Sequence, residues 1–344
     1  MRPDTLISLV VLLSLMADLR AESGADAYGR GDYANAVSRF ESRAQTGDAT
    51  AQNNLGVLYL KGRGVGQDYV RARALFQAAS DQHLPGAMFN LGMMYLRGYG
   101  VAAEPARAAD WFQRAAALDD REAQFFLAVM YAKGQGVAVN RDLAREWFEK
   151  SAKAGLPAAQ FNLAMLMLQQ ASAAGGEAEA MKWLEAAARQ DYKLAKLHIA
   201  KLDLSHNDDP QRLEHAAVLL RELADGGDPE GQMQFGLMNL FGQGLPLNEE
   251  EGRFWLRQSA LQGWAAAQVN LSAVYAQGIG THADPVQAYA WLAVAAAQDS
   301  KVKPALTEMA ARLKPEQRSQ GEALARQLES ERAAAASEVS ETSD

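Results

Sequence analysis

The chain has 344 residues, 49% of them hydrophobic and 22% charged, with a formal net charge of -8 and no cysteine. The lack of cysteine excludes disulfides, thiolate metal sites, a cysteine nucleophile and a lipid-modified cysteine anchor. The acidic balance, with no basic stripe, argues against nucleic acid as a partner.

The first segment stands apart from the rest. Arg2 precedes the run Leu6 to Met16, LISLVVLLSLM, whose eleven residues fall short of the roughly 20 needed to span a bilayer as a helix. The run fits the apolar region of a secretory signal peptide, so residues 1–21 are read as one, with cleavage after Ala17 or Ala21. The competing reading is an apolar N-terminal helix packed on the first repeat. Export predicts a periplasmic protein, and no later segment is long and apolar enough to cross a membrane, so no span is expected in the mature chain.

Residues 22–46 read as half a repeat, because Ala36 and Ala44 lie 36 positions before Ala72 and Ser80. They are expected to supply one helix that covers the end of a stack. Seven units of 36 residues then occupy 47–298. Ala51, Ala87, Ala123, Ala159, Ala195, Gly231 and Ala267 share one column, and Leu55, Leu91, Leu127, Leu163, Ile199, Phe235 and Leu271 share another. A fixed period of this length points to an array of stacked helical units. Each unit opens with a helix such as 51–60, whose apolar residues fall on one stripe. A column of small residues (Gly56, Gly92, Ala128, Ala164, Ala200, Gly236, Ser272) lets a second helix approach closely. Gly62-Arg63-Gly64-Val65 and its copies follow, where glycine suits a left-handed C-cap.

The second helix begins at Asp68, Asn140, Asn248 or Asp284, a column joined by Glu104, which predicts N-caps. Trp111, Trp147, Trp183, Trp255 and Trp291 share a later column and are read as packing posts between helices. Units four and five, 155–226, keep the period but lose the loop glycines, and Lys201, Asp203 and Leu219 replace apolar or aromatic residues. Either this is a hinge or partner-specific patch, or it is drift within the array. After Gln298 the phase fades: 299–333 reads as a C-terminal helical cap of two helices split before Pro315, and 334–344 as a disordered acidic tail.

The motif A-x-x-x-L-G-x-x-Y, then G-x-G-V, then Ala and Trp three apart, resembles the SLR (Sel-one-like repeat) family, relatives of the tetratricopeptide repeats. AQNNLGVLYLKGRGV, AMFNLGMMYLRGYGV and AQFFLAVMYAKGQGV carry the resemblance. It implies an all-α fold, a right-handed α/α superhelical solenoid of seven helix-pair repeats with helical caps. It also implies a protein that holds partner proteins, as an adaptor or inhibitor. Exported members of the family include envelope regulators and immunity proteins that neutralise interbacterial toxins.

No sequence motif for catalysis is present: H-E-x-x-H, G-x-S-x-G and the phosphate-binding G-x-x-x-x-G-K-[ST] are all missing. His206, Asp208, Asp209 and His215 form the one cluster that resembles metal ligands, and their spacing matches no zinc pattern. The chain is therefore expected to be non-enzymatic and without cofactor or metal, with a cryptic hydrolase as the minor alternative. A binding surface is better supported. Phe89, Phe125 and Phe161, with Met93, Val129 and Met165, give the first helices a second apolar face. In tetratricopeptide-like stacks that face lines the concave side, where Arg97 and Lys133 at its edge suit acidic groups on a protein partner. The same rings would also serve to pack neighbouring first helices together.

Overall fold

The 36-residue columns become the core. The computed structural model describes residues 23–170, 174–206 and 208–341; the signal-peptide reading of 1–21 lies outside them. Eighteen α-helices and one 3₁₀ turn follow one another, with no strand among the described residues. The chain divides into two units, Met1–Gln170 and Ala171–Asp344, a division that falls inside the run expected as one array.

In the first unit a short α1 (Gly24–Gly29) and α2 (Tyr33–Gln45) form the N-terminal cap. The cap is a full helix pair rather than the single helix expected: Gly24 lies against the ring of Phe40, as Gly56 lies against Phe76 further on. The pairs α3 (Ala49–Lys61) with α4 (Tyr69–Asp81), α5 (Pro85–Arg97) with α6 (Pro105–Ala116), and α7 (Arg121–Lys133) with α8 (Arg141–Lys153) follow, and α9 (Pro157–Gln170) ends the unit. The second unit holds α10 (Ala174–Ala188), α11 (Lys193–Leu204), α12 (Pro210–Asp225), α13 (Pro229–Phe241), α14 (Glu249–Leu261), α15 (Ala265–Gln277) and α16 (Pro285–Gln298).

Local chemistry sets the helix ends. Gly62, Gly98, Gly134, Gly242 and Gly278 close the first helices in the left-handed region, as their column predicts. The second glycine of each loop has a tertiary reason as well. A Cβ on Gly64, Gly136 or Gly244 would stand 2.3–2.5 Å from the backbone of Tyr33, Pro105 or Leu213, at the start of the preceding second helix. Asp68, Asn140, Asn248 and Asp284 accept backbone N–H bonds as N-caps, whereas Glu104 makes no side-chain cap and leaves the start of α6 to Pro105.

Within a pair the helices run antiparallel: Gly236 faces Leu256 while Leu240 faces Gly252. The ring that fills this contact sits one residue after the tryptophan column. Phe40, Phe76, Phe112 and Phe148, continued by Leu184, Leu220, Leu256 and Leu292, are all buried. Trp111, Trp147, Trp183 and Trp255 are only half-buried, and of these five tryptophans Trp291 alone is enclosed, at 1% exposure. The packing posts are therefore phenylalanine and leucine, and four of the five tryptophans lie at the edge of the core. Arg114 and Lys150 sit over the rings of Trp111 and Trp147, 4.2 and 4.1 Å from their centres, where a wet cation meets an aromatic face.

A ladder of glutamines ties each repeat to the one before. Gln52, Gln124, Gln160, Gln232 and Gln268 each donate to a carbonyl eight residues earlier. The oxygens of Gln52 and Gln232 accept from Gln82 and Gln262.

At the C-terminal end a 3₁₀ turn, α17 (Lys303–Arg312) and α18 (Pro315–Glu341) follow, with the break before Pro315 as expected. Leu328 of α18 joins the cluster around Trp291 and Leu256, Tyr289 lies against Gly321, and Arg257 meets Glu331 at 3.3 Å. The helix continues to Glu341, so residues 334–341, read as disordered, are helical. Their alanine-rich stretch AAAAS has the highest helix propensity available and simply extends α18.

Candidate functional site

The eight residues assigned to partner binding lie on α5, α7 and α9, all in the first unit. Phe89, Met93 and Arg97 are spaced by four along α5, and Phe125, Val129 and Lys133 likewise along α7, so each set shares one helix face. Phe161 and Met165 repeat the first two positions on α9. The apolar six are half-buried, and Arg97 and Lys133 are exposed in the last turns of their helices, where positive charge suits the helix dipole.

The Phe89 and Phe125 rings pack on the rings of the second helices. Phe89 lies 5.6 Å from both Phe112 and Phe126, and Phe125 lies 5.8 Å from Phe148. Asn90 donates to Asn53 at 2.9 Å, which sets successive first helices side by side along this face. Met93, Val129 and Met165, with the two cations, are thus the part of the face whose alteration least disturbs the ring contacts.

The second unit carries two grooves between successive second helices. In the first, α10 and α12 flank a groove of about 770 Å³ whose lining includes Leu219, Ile199, Lys196, His215, Glu185 and Glu222. Leu219 occupies the tryptophan column, and the smaller side chain leaves this space open. In the second, α12 and α14 flank about 520 Å³ lined by Val218, Phe235, Asn239, Leu245, Pro246 and Leu247.

The polar substitutions of unit five are partnered. Lys196 stands where other units have Gln or Met, is 9% exposed, and bonds to Asp191 and, at 2.8 Å, to Glu222. Burial works against its charge, and the hydrogen bonds and charges of the two carboxylates outweigh it, holding the ammonium above the ordinary lysine range. The same hydrogen bond and charge hold Asp191 below the carboxylate range. Buried Asp203 accepts from or pairs with His215 at 2.7 Å, and Lys201 meets Glu230 at 2.6 Å.

The candidate metal cluster is not assembled. His206 lies 2.9 Å from the Leu202 carbonyl and 2.8 Å from Arg212, Asp209 caps α12, and His215 turns to Asp203. Among the described residues no group of three or more metal-binding side chains converges. The sequence reading did not single out the glutamine ladder or the phenylalanine column, although both sit in the 36-residue register, the first broken at Met88 and Lys196 and the second turning to leucine after Phe148.

The fold and these surfaces define a helix-pair repeat protein of the tetratricopeptide-like class. The Sel1 repeat family matches residues 49–84, 85–120, 121–156, 157–192, 229–264 and 265–300, more than half of the chain. The chain belongs to that family. Residues 193–228, the fifth unit, are the one interval passed over between matched repeats, although α11 and α12 are formed there.

Among solved structures the chain is similar to c5321, a protective antigen present in uropathogenic Escherichia coli strains and displaying an SLR fold. The identity is 28% and the TM-score 0.51, with 88% of this chain and 73% of that one covered. A Sel1 repeat protein from Oxalobacter formigenes is 22% identical with a TM-score of 0.49, covering 79% of this chain and 94% of that one. The immunity protein Pa5087 from Pseudomonas aeruginosa is 16% identical with a TM-score of 0.36, covering 64% and 80%. A search of the curated proteins gave no match. Among the described residues no helix is long and apolar enough to cross a membrane.

Proposed function

We propose that this chain is exported to the bacterial periplasm and works there without catalysis, holding a partner protein as an adaptor or inhibitor. The observation that carries the reading is the repeated face of α5, α7 and α9, where half-buried Phe and Met rows end in exposed Arg97 and Lys133. Methionine adapts its shape to a partner, and an exposed cation at the border recognises acidic groups. The apolar run Leu6–Met16 supports export, as does the likeness at 28% identity to a protein described as a protective antigen.

The test is capture of partners from the envelope fraction with the wild-type chain and with Met93→Glu/Met165→Glu/Arg97→Glu, each checked for helicity by circular dichroism. One partner retained by the wild type and lost by the folded variant supports the reading. A captured enzyme silenced by this chain makes it an inhibitor, and an uninhibited envelope protein makes it an adaptor. Equal capture by both chains removes this face as the site. Intact-mass measurement of the secreted chain is expected to show an N-terminus at Asp18 or Glu22, and an intact Met1 argues against export.

A further inference from the structure

The groove between α12 and α14 has features the rest of the array does not prepare. Val218 and Leu247 line it at 53% and 62% exposure, and Phe254, one repeat after Val218, is 52% exposed on the neighbouring helix. In earlier units the column of Val218 and Phe254 holds Ala74, Asp110, Glu146 and Lys182, so a large exposed apolar side chain there is not required by the packing of a second helix. Phe235 and Asn239 of α13 form the floor, and the loop through Leu245 and Pro246 forms one wall. Val218, Phe235, Leu245, Pro246 and Leu247 line this one groove together, which is more than single scattered residues would give.

The border is acidic. Glu214 and Glu251 line the groove, and Glu249 and Glu250 complete the first turn of α14. Negative charge in a first turn is favoured by the helix dipole, which accounts for three of these carboxylates. It does not account for Glu214, in the second turn of α12. Arg221 is the cation in the lining, and Asp225 lies 3.9 Å from it. A second copy of this chain, itself at net charge -8, is a poor match for such a border.

We propose that this groove is a docking site for a partner-protein segment that joins apolar side chains to arginine or lysine. The apolar side chains cover Val218 and Leu247, and the basic ones face Glu214 and Glu251. The site goes beyond the reading above: it lies in the other unit, takes a segment of opposite charge, and is tested by different variants, so either can fail alone.

The experiment selects random phage-displayed peptides of about 12 residues against the full chain, then measures the winners by fluorescence anisotropy. The comparison is Val218→Lys/Leu247→Lys, with Val139→Lys as the control, an exposed apolar residue (61%) in the same column as Leu247. The substituted side chains are solvent-facing, and circular dichroism confirms folding. Winners that combine apolar and basic residues, bind Val139→Lys normally and lose at least about ten-fold in affinity for the double variant support the proposal. Acidic or uncharged winners, winners that bind the double variant equally, or no enrichment overturn it. So does a wild-type dimer in sedimentation that the double variant abolishes, since the occupant is then a second copy.

Discussion

The ring of Phe112 lies directly against the backbone of Gly92: a Cβ built on Gly92 would stand 2.6 Å from Cε1 of the ring. Phe112 is fully buried, so the ring has no free volume into which to turn. The same contact pairs Gly56 with Phe76, and it is the point at which the two helices of a repeat are keyed together.

Gly92→Ala is therefore expected to destabilise the protein by about 1–3 kcal/mol through overpacking, against the roughly 1 kcal/mol that alanine normally gains in a helix. Gly86→Ala, on the same helix with nothing within 4 Å of its added Cβ, is expected to be neutral or stabilising. Urea unfolding of the full chain measures both. Equal shifts in the two variants would show that the ring does not set the approach.

The glutamine ladder has a missing rung. Gln124 donates to the Ala116 carbonyl at 3.3 Å, but its buried Oε1 has no partner. Gln52 and Gln232 receive that bond from a glutamine 30 residues later, and the position 30 after Gln124 holds exposed Ala154. Ala154→Gln is expected to add about 1 kcal/mol of stability, read as a raised thermal midpoint. An unchanged or lower midpoint means the oxygen is satisfied by water.

The Lys196 pairs carry a pH signature. Asp191, held below the ordinary carboxylate range by Lys196, contributes stability that is complete above its unfolded pKa of about 3.9 and is lost as pH falls through the lower folded value. Lys196, raised in the fold by Asp191 and Glu222 against its burial, contributes fully at neutral pH and loses this only as pH rises through its folded value. Lys196→Gln restores the residue of most other repeats, yet its oxygen would face Gly226 where Gln52 and Gln232 meet a glutamine. The variant is expected to be less stable at neutral pH, with the gap to wild type closing in acid. A gap independent of pH would assign Lys196 a packing role alone.

The tryptophan column divides by burial. Trp291→Ala, at 1% exposure, is expected to cost about 3–5 kcal/mol. Trp147→Ala, whose half-buried ring carries Lys150 at 4.1 Å, is expected to cost about 1–2 kcal/mol in proportion to the smaller area it covers. Urea midpoints of the two variants compare them, and equal losses would contradict the burial seen here.

What the sequence by itself determined is local in origin. The 36-residue period, the buried alanine and leucine columns, the left-handed loop glycines and the Asp and Asn caps all follow from helix periodicity and turn chemistry acting within a few residues. The tertiary structure decided which ring fills the core. Trp111 and Phe112 are adjacent, one residue turns a helix by about 100°, and only the approach of α6 to Gly92 fixes which of the two points inward. It also decided the polar contacts, because Lys196 and Glu222, or Asp203 and His215, meet only after separate helices have docked. The face of α5, α7 and α9 was legible as a pattern of residue types. That its Phe89 and Phe125 rings pack on the second helices was not, since that contact depends on the neighbouring helix. The groove beside Val218 likewise exists only once α12, α13 and α14 stand together.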